Sequence, residues 1–135
     1  MEESRFQFKG FRIKRSLIER NESLASTKIS IGMSPKGTLK INDSIFELEL
    51  KVIIHDENKA FKIEVDAVAF YEFDAKVEKD KLNSMFYINA PAILFPYIRA
   101  YISTLTNLSG FETITLPTLN VVQLGKDLEK NTSEI

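Results

Sequence analysis

Two segments in the middle of the chain alternate between apolar and polar residues with a period of two. In the first, at 44–55, the apolar positions are Phe46, Leu48, Leu50, Val52 and Ile54. The residues between them are mostly charged, as in a strand that covers a core with one face and meets water with the other. The segment at 60–71 repeats this pattern after the polar sequence at 56–58. The two segments therefore predict a β-hairpin.

Two more strands are predicted nearer the N-terminus. Residues 5–20 alternate as well, but the apolar positions change parity at Gly10. One inserted residue explains the change, and glycine tolerates the backbone angles of a β-bulge, so we predict one long bent strand. A shorter strand is predicted at 27–33, ahead of the turn-forming sequence Ser-Pro-Lys-Gly at 34–37.

Beyond residue 88 the apolar period becomes that of a helix. The apolar positions recur at spacings of four and three residues: Leu94, Ile98, Tyr101, Leu105 and Leu108. Asn89 is the predicted N-cap, Pro91 suits the first turn, and Gly110 is placed to end the helix. Pro96 predicts a kink in the first turn, or else a regular helix that starts there. These elements predict an α+β fold in which a four-stranded sheet carries a long helix on one face.

The remaining segments are polar. Charge is concentrated at 74–81, which predicts a crossover loop or a short exposed helical turn. Residues 125–135 are polar and include Gly125, so we expect this tail to fray.

The long helix has no charged face, since Arg99 is the one charged residue between Asn89 and Phe111. A helix of this kind must be covered on more than one side, and one sheet covers only one side. A second copy of the chain related by a two-fold axis supplies the other cover most simply. We therefore expect an oligomer whose contact lies on the helix and the fourth strand. The expected contact residues are Ile63, Val65, Ala67, Ile98, Tyr101, Ile102 and Leu105.

Composition fits one domain spanning residues 1–135, because 44% of the residues are hydrophobic and no repeat is present. The 18 basic and 19 acidic residues nearly cancel, so nucleic acid is not an expected partner. The chain has no cysteine, and its first residues are acidic rather than those of a signal peptide. Prolines interrupt the apolar stretch, so membrane insertion is not expected. These features favour a cytoplasmic protein.

Candidate residues for chemistry are few, and no cofactor or metal is expected. His55 is the single histidine, and the familiar spacings of metal ligands are absent around it. Glu47 and Glu49 share a strand face and could form an acid–base pair, although alternating charges on a strand usually mark its solvated side. Basic residues interleave with phenylalanines in the first strand, which is also a pattern of single-stranded nucleic-acid platforms. A half-buried strand with its phenylalanines inward and its basic residues outward explains the same pattern. Since none of these residues forms a catalytic motif, an enzyme is not expected.

Aromatic residues are concentrated at the ends of the predicted elements, on both sides of the charged segment at 74–81. Each of them could belong to an ordinary core. Together they could instead wall an apolar groove with a charged rim, which suits an extended polypeptide. The predicted groove residues are Phe70, Tyr71, Phe73, Phe86, Tyr87, Ile88 and Phe95.

The same residues resemble the SecB family of bacterial export chaperones. The sequence Ile-Leu-Phe-Pro-Tyr at 93–97, preceded by Pro91 and followed by Arg99, is similar to the family's mark at the head of its long helix. Further similar stretches are FQFKGF at 6–11, FELELKV at 46–52, FKIEV at 61–65 and GFETITLPTLNVVQL at 110–124. The resemblance covers residues 6–124.

The resemblance implies an antiparallel four-stranded sheet, a long helix on one face and a short C-terminal helix. It implies a homotetramer built as a dimer of dimers, with the helices between the sheets. The implied function is an ATP-independent holdase that keeps unfolded or precursor polypeptides soluble for export. Near-neutral charge argues against delivery to the motor protein SecA, and an antitoxin is the alternative dedicated partner. A third possibility is an oligomeric binding module for a single apolar ligand.

Overall fold

A computed structural model describes residues 6–21, 25–74, 85–117 and 120–135. One mixed sheet contains five strands: β1 (Phe6–Arg20), β2 (Ile29–Lys40), β3 (Ile45–Asp56), β4 (Phe61–Phe73) and β5 (Thr132–Glu134). Their order across the sheet is β1-β4-β3-β2-β5. The predicted four antiparallel strands are confirmed, and β5 adds a fifth that runs parallel to β2. The charged segment predicted at 74–81 lies almost entirely outside the described residues.

The β3–β4 hairpin follows the predicted alternation. Phe46, Leu48 and Ile54 of β3 are fully buried on one face, in the core that also contains the apolar residues of the long helix. Asp56 at the turn is also buried, and its carboxylate accepts hydrogen bonds from the backbone N–H groups of Ser26 at 2.9 Å and Phe61 at 3.2 Å. These bonds lower the pKa of Asp56 despite the opposing effect of burial. The carboxylate therefore joins the hairpin turn to the segment that enters β2.

The predicted bulge of β1 lies at Gly10, whose φ is +121°. The register against β4 shifts between Phe8 and Gly10 and again between Ile13 and Arg15. The first shift keeps the phenylalanines on both sides of Gly10 on the core face of the sheet. The second shift moves the core face from Ile13 to Ile18, and it was not predicted because the adjacent apolar residues Leu17 and Ile18 do not show which parity faces the core.

The turn predicted at 34–37 is wrong, because β2 runs straight through these residues to Lys40. Pro35 pairs with Leu50 of β3 within an unbroken register. Strand β5 begins to pair only at Gly37, so Pro35 lies where β2 is the edge of the sheet, and an edge strand tolerates proline. The chain turns instead at 41–44, where Ser44 has a positive φ of 55°.

Helix α1 (Ala90–Leu108) continues directly from a π-helical turn at Met85–Asn89. The predicted N-cap at Asn89 is wrong, since this residue has helical backbone angles and makes no capping bond through its side chain. Pro91 lies in the first turn as predicted, and Pro96 lies inside α1 rather than at its start. Gly110 ends the helix with a φ of +81°, and the N–H of Phe111 returns to the carbonyl of Thr106.

Part of the uncharged back of α1 is covered by the same chain, in the extended segment that follows the helix. The Ser103 hydroxyl donates to the carbonyl of Ile114 at 3.1 Å, and the N–H of Ile114 donates to the Thr106 hydroxyl at 3.0 Å. Leu116 is fully buried in the same core. The inference that a second subunit supplies this cover most simply overlooked the segment after Gly110, whose backbone uses the helix's small hydroxyl groups as partners.

The C-terminal residues, expected to fray from 125 onward, instead form the end of helix α2 (Val121–Lys130) and strand β5. Asn120 caps α2 by accepting from the N–H of Gln123 at 3.2 Å. Leu124 and Leu128 are buried in the core. Burial of these leucines gives the short helix a stability that its polar composition does not predict.

Candidate polypeptide-binding surfaces

Four of the residues predicted to line a groove lie in the core of the described chain. Tyr71, Phe73, Phe86 and Phe95 are all buried. The ring of Phe86 stacks on that of Phe46 with centroids 4.5 Å apart, and Phe73 meets Phe86 edge-on at 5.2 Å. The structure thus brings Tyr71, Phe73 and Phe86 together as packed rings between the sheet and the π-helical turn. Their role in polypeptide binding stays a prediction.

Tyr71 links this cluster to the start of α1. Its hydroxyl donates to the carbonyl of Ala90 at 2.6 Å, and burial raises the pKa of the phenol above its ordinary value. The neutral phenol is therefore a permanent donor that fixes the helix start above β4.

The other three predicted groove residues point in different directions. Phe70 lies on the opposite, outward face of the sheet, where the Arg12 guanidinium is 5.4 Å from its ring centroid. Tyr87 is half-buried beneath α2, and Ile88 is 48% exposed at the end of the π-helical turn. A single continuous groove made of all seven predicted residues is therefore not present in this conformation.

A half-exposed set of rings, here termed the β1–α1 aromatic row, lies between the edge strand and the long helix. Phe8 and Phe11 of β1 both contact Tyr97 of α1, with ring centroids 5.5 and 5.2 Å apart. Phe6 stacks on Tyr71 at 5.0 Å. Tyr97 is 46% exposed. Apart from Arg20, the basic side chains of β1 lie on the outward face, so the mixed composition of this strand follows from an inward aromatic face and an outward basic face.

Most residues expected at a subunit contact are buried within the single chain. Ile63, Val65, Ala67, Ile98 and Ile102 all belong to the core between β4 and α1. Tyr101 and Leu105 remain half-exposed. The Tyr101 hydroxyl shares a hydrogen bond with that of Ser16 on β1. A second chain could therefore reach Tyr101 and Leu105 without any change in the fold, whereas the other five residues pack inside the chain's own core.

An open apolar cleft of about 590 Å³, here termed the β2 cleft, lies at the other end of the sheet. Its apolar lining consists of Ala25, Ile29, Ile31, Ala60, Phe61, Phe111 and Ile114. Ile29 is 45% exposed and Ile31 36%, although both lie on the core side of the sheet. The Arg20 guanidinium lies over the ring of Phe111 at 3.8 Å from its centroid and borders the cleft.

Sequence reasoning missed the β2 cleft because its parts come from four distant segments. The available signal was the alternation of Ile29 and Ile31 just before the misplaced turn. No periodicity places the segment after Gly110 opposite this strand. The covered hydroxyl groups of α1, described above, hold Ile114 there.

The candidate chemical residues have ordinary structural partners. Glu47 accepts from the Lys40 ammonium at 2.7 Å, and Glu49 from that of Lys14 at 3.4 Å. The His55 ring meets the carbonyl of Asp56 at 3.1 Å. Within the part of the chain that the structure describes, no group of three or more potential ligands is close enough to hold a metal ion. These contacts suit a solvated strand face.

The outward face of the sheet has one strongly perturbed carboxylate. Glu64 receives hydrogen bonds from Lys62 at 2.9 Å and Arg15 at 2.5 Å, which together lower its pKa to about 2. Asp66 lies two residues further along, and its Oδ1 is buried with no hydrogen-bond partner among the described residues. Basic and acidic side chains alternate across this face, so it has no extended acidic area.

None of the helices in the described ranges is both long enough and apolar enough to span a membrane. Although α1 has 19 residues, its apolar positions are interrupted by polar ones and by two prolines.

Comparison with solved structures identifies the same architecture elsewhere. The chain superposes with a TM-score of 0.71 on the SecB-like chaperone of Mycobacterium tuberculosis, solved in complex with a ChAD peptide from the HigA1 antitoxin. The match covers 85% of this chain and 91% of that one at 16% identity. A Streptococcus agalactiae protein of unknown function gives a TM-score of 0.51 at 10% identity, over 84% of this chain and 97% of that one.

Sequence comparison gives distant relatives over most of the chain. It is 26% identical to the protein-export protein SecB of Anaplasma phagocytophilum, over 86% of this chain and 75% of that protein. It is 20% identical to SecB 1 of Polaromonas naphthalenivorans, over 74% of this chain and 64% of the relative. An uncharacterized protein of Methanocaldococcus jannaschii is 41% identical, over 38% of this chain and 33% of its own length. The chain thus spans about two thirds or less of these last two relatives.

The family model described as preprotein translocase subunit SecB matches residues 18–131, which include β2 to β4, both helices and the β2 cleft. The match extends over most of the sheet, the head of α1 and the segment after Gly110. The chain therefore belongs to the SecB family.

Proposed function

We propose that this chain is an ATP-independent holdase that binds unfolded or precursor polypeptides in the cytoplasm. The observation that carries the proposal is the β2 cleft, an open apolar concavity in a chain of the SecB family. A segment that buried about 400 Å² of apolar surface there would gain about 10 kcal/mol, most of which is offset by the ordering of the bound chain. Binding of this kind is broad and readily reversible.

The mixed charge of the outward sheet face favours a dedicated polypeptide partner over a docking protein that has a strongly basic surface. Six carboxylates on this face alternate with eight basic side chains, and four of the carboxylates have ion-pair partners. Such a face attracts no highly charged protein at long range. An antitoxin, the partner class of the M. tuberculosis relative, is therefore the preferred candidate, and SecA the second.

Assembly is proposed to use β1 and the exposed side of α1. Among the described residues, β1 is an edge strand with pairing on one side only, and the β1–α1 aromatic row lies beside it. Tyr101 and Leu105 continue this surface along α1. A two-fold axis there would bring the same half-exposed residues of two copies together, and two such dimers would form the tetramer of the family.

Light scattering tests the holdase proposal. A chemically unfolded protein is diluted into buffer with and without the chain, and the chain is expected to suppress aggregation at a stoichiometric ratio without ATP. No suppression at stoichiometric excess would reject the proposal. A triple variant with Glu47→Gln, Glu49→Gln and His55→Gln should suppress aggregation as well as the parent, because the proposal involves no acid–base chemistry.

An oligomeric module for one apolar ligand is the alternative that the same cleft permits. It would bind a single compound saturably and would leave the aggregation of generic unfolded chains unchanged. Isothermal titration with several unrelated unfolded proteins separates the two possibilities, since a holdase releases or absorbs heat with all of them.

A further inference from the structure

We propose that the edge of β2 at Ile29–Met33 captures extended polypeptide by strand addition, with alternate side chains of the captured segment entering the β2 cleft. This inference rests on the proposed holdase function and specifies how it is performed. The occupant is an unfolded segment with apolar residues at every second position. Backbone hydrogen bonds would give affinity without sequence specificity, and the cleft would select apolar side chains.

The pairing of β2 with β3 fixes which backbone groups are free. In an antiparallel pair, residues alternate between those bonded to the neighbouring strand and those that point away from it. Gly37 donates its N–H to Asn131, and Leu39 accepts from Ile135, so the odd-numbered residues of β2 point away from β3. The register has no shift from Ile29 to Lys40, and the same parity therefore holds for Ile29, Ile31 and Met33. No described residue pairs with their outward groups.

The chain's own C-terminus already uses this edge. Strand β5 pairs with β2 over Gly37–Leu39, which shows that the outer side of β2 accepts a further strand. Pro35 has no N–H, and its carbonyl accepts from the Asn131 amide at 3.3 Å. The edge is thus divided at Pro35 into a part occupied by β5 and an open part from Ile29 to Met33.

The open part of the edge borders the cleft on the side where Ile29 and Ile31 project. A strand laid along this edge points every second side chain to the same face of the sheet, at intervals of about 7 Å. Those side chains would enter a concavity lined by Phe61, Phe111 and Ile114. Arg20 and Glu112 are the charged residues of its lining and are opposite in sign, so an uncharged segment suits the site best.

The outer edge of β1 is less suited to capture. Its core-face phenylalanines are held by Tyr97, and Ser16 is held by Tyr101. Half-exposed rings that pack on the chain's own helix therefore adjoin this edge, and they suit a second copy of the chain better than inserted side chains.

Amide hydrogen exchange, read residue by residue by NMR, tests the proposal. The probe is a capped heptapeptide of alternating threonine and valine, and its counterpart has N-methyl groups on alternate residues. In the free chain the amides of Ile29, Ile31 and Met33 should exchange rapidly, while that of Gly32, bonded to β3, should be protected. The probe should slow the three odd-numbered amides by about tenfold or more, and the N-methylated counterpart should not. Unchanged exchange at these amides with a saturating probe would overturn the proposal.

A matched pair of variants distinguishes probe binding at the β2 edge from nonspecific binding to exposed apolar residues. Ile31→Asp should weaken probe binding at least several-fold, and Ile41→Asp should leave it unchanged, since Ile41 is 51% exposed and outside the cleft. Equal weakening by both variants would also contradict the proposal. If the parent suppresses aggregation while an unfolded client leaves the three amides unprotected, the holdase function stands and strand addition fails. Protection that depends on the concentration of the chain alone would instead identify a second copy as the occupant.

Discussion

Gly125 of α2 lies directly against the backbone carbonyl of Tyr87, so that a methyl group at residue 125 would overlap the carbonyl oxygen. This contact lets α2 approach the π-helical turn closely enough for Leu124 and Leu128 to reach the core. The glycine that weakens α2 as an isolated helix is therefore the residue that allows the helix to pack.

Replacement of Gly125 measures how much the close approach of α2 to the π-helical turn contributes to the free energy of unfolding. Gly125→Ala should gain about 1 kcal/mol of helix propensity but lose more through displacement of α2, for a net destabilisation of about 1–2 kcal/mol. Urea unfolding followed by circular dichroism gives the difference. Gly32→Ala is the matched control, because nothing lies within 4 Å of the added methyl group. Equal midpoints for Gly125→Ala and the parent would show that α2 does not depend on this contact.

The pairing of Glu64 predicts a specific loss of stability in acid. Its pKa is about 2 in the folded chain against an ordinary value of 4.5, so Lys62 and Arg15 stabilise the folded state fully above about pH 4.5. This contribution is lost as the pH falls from 4.5 toward 2. Glu64→Gln should therefore lose stability near pH 7 and show a shallower decline with acid, as measured by the urea midpoint at each pH.

Glu72→Gln is the control for this pH dependence. Glu72 lies on the same strand, and its ion pair with Lys9 at 3.8 Å is exposed to solvent. Its variant should follow the pH profile of the parent. A Glu64→Gln profile that runs parallel to the parent profile would show that another carboxylate, such as Asp56, governs the acid transition.

Substitutions along α1 separate folding from assembly. Ile102 is 0% exposed within the single chain, so Ile102→Asp should unfold the chain through a buried unpaired charge that costs several kcal/mol. Leu105 is half-exposed, and Leu105→Asp should keep the fold and lower the oligomeric mass in sedimentation. Glu47→Lys on the outward face should change neither. A folded Leu105→Asp chain with the parent's mass would place the subunit contact on a different surface.

The carboxylate of Asp56 predicts a local effect at the hairpin turn. Asp56→Ala removes the acceptor of two backbone N–H groups and should lower the free energy of unfolding by about 1–3 kcal/mol. Glu57→Ala provides the comparison, because its side chain accepts a long 3.5 Å hydrogen bond from the Ser26 hydroxyl at the surface. Thermal melts of both variants give the measurement, and equal losses would contradict the assigned role of Asp56.

Periodicity predicted the strands and the helix that bury one face and expose the other. The alternation at Phe46 and Leu48 gave the hairpin and the core face of β3, and the stripe at Leu94 and Ile98 gave α1. The family resemblance added the C-terminal helix. These features depend on local pattern, which the sequence displays directly.

Features that depend on contacts between distant residues were not predicted. Pro35 was interpreted as a turn because its tolerance in β2 depends on where β5 stops. The covering of Thr106 by Ile114 and the docking of Gly125 on Tyr87 join segments whose spacing has no period. The β2 cleft depends on contacts of this kind, and none of the groove residues predicted from aromatic abundance lies in its lining.

Pro35 also has a consequence for solubility. An open strand edge is a template on which identical chains can stack without limit, and proteins guard such edges with proline or charge. Two copies that paired through their β2 edges would meet a position without a donor after Met33 and an occupied edge from Gly37 onward. Their ladder would therefore stop after a few bonds, too short to hold a fibre together. Pro35 thereby protects the chain against self-polymerisation while leaving a short length of edge open to other polypeptides.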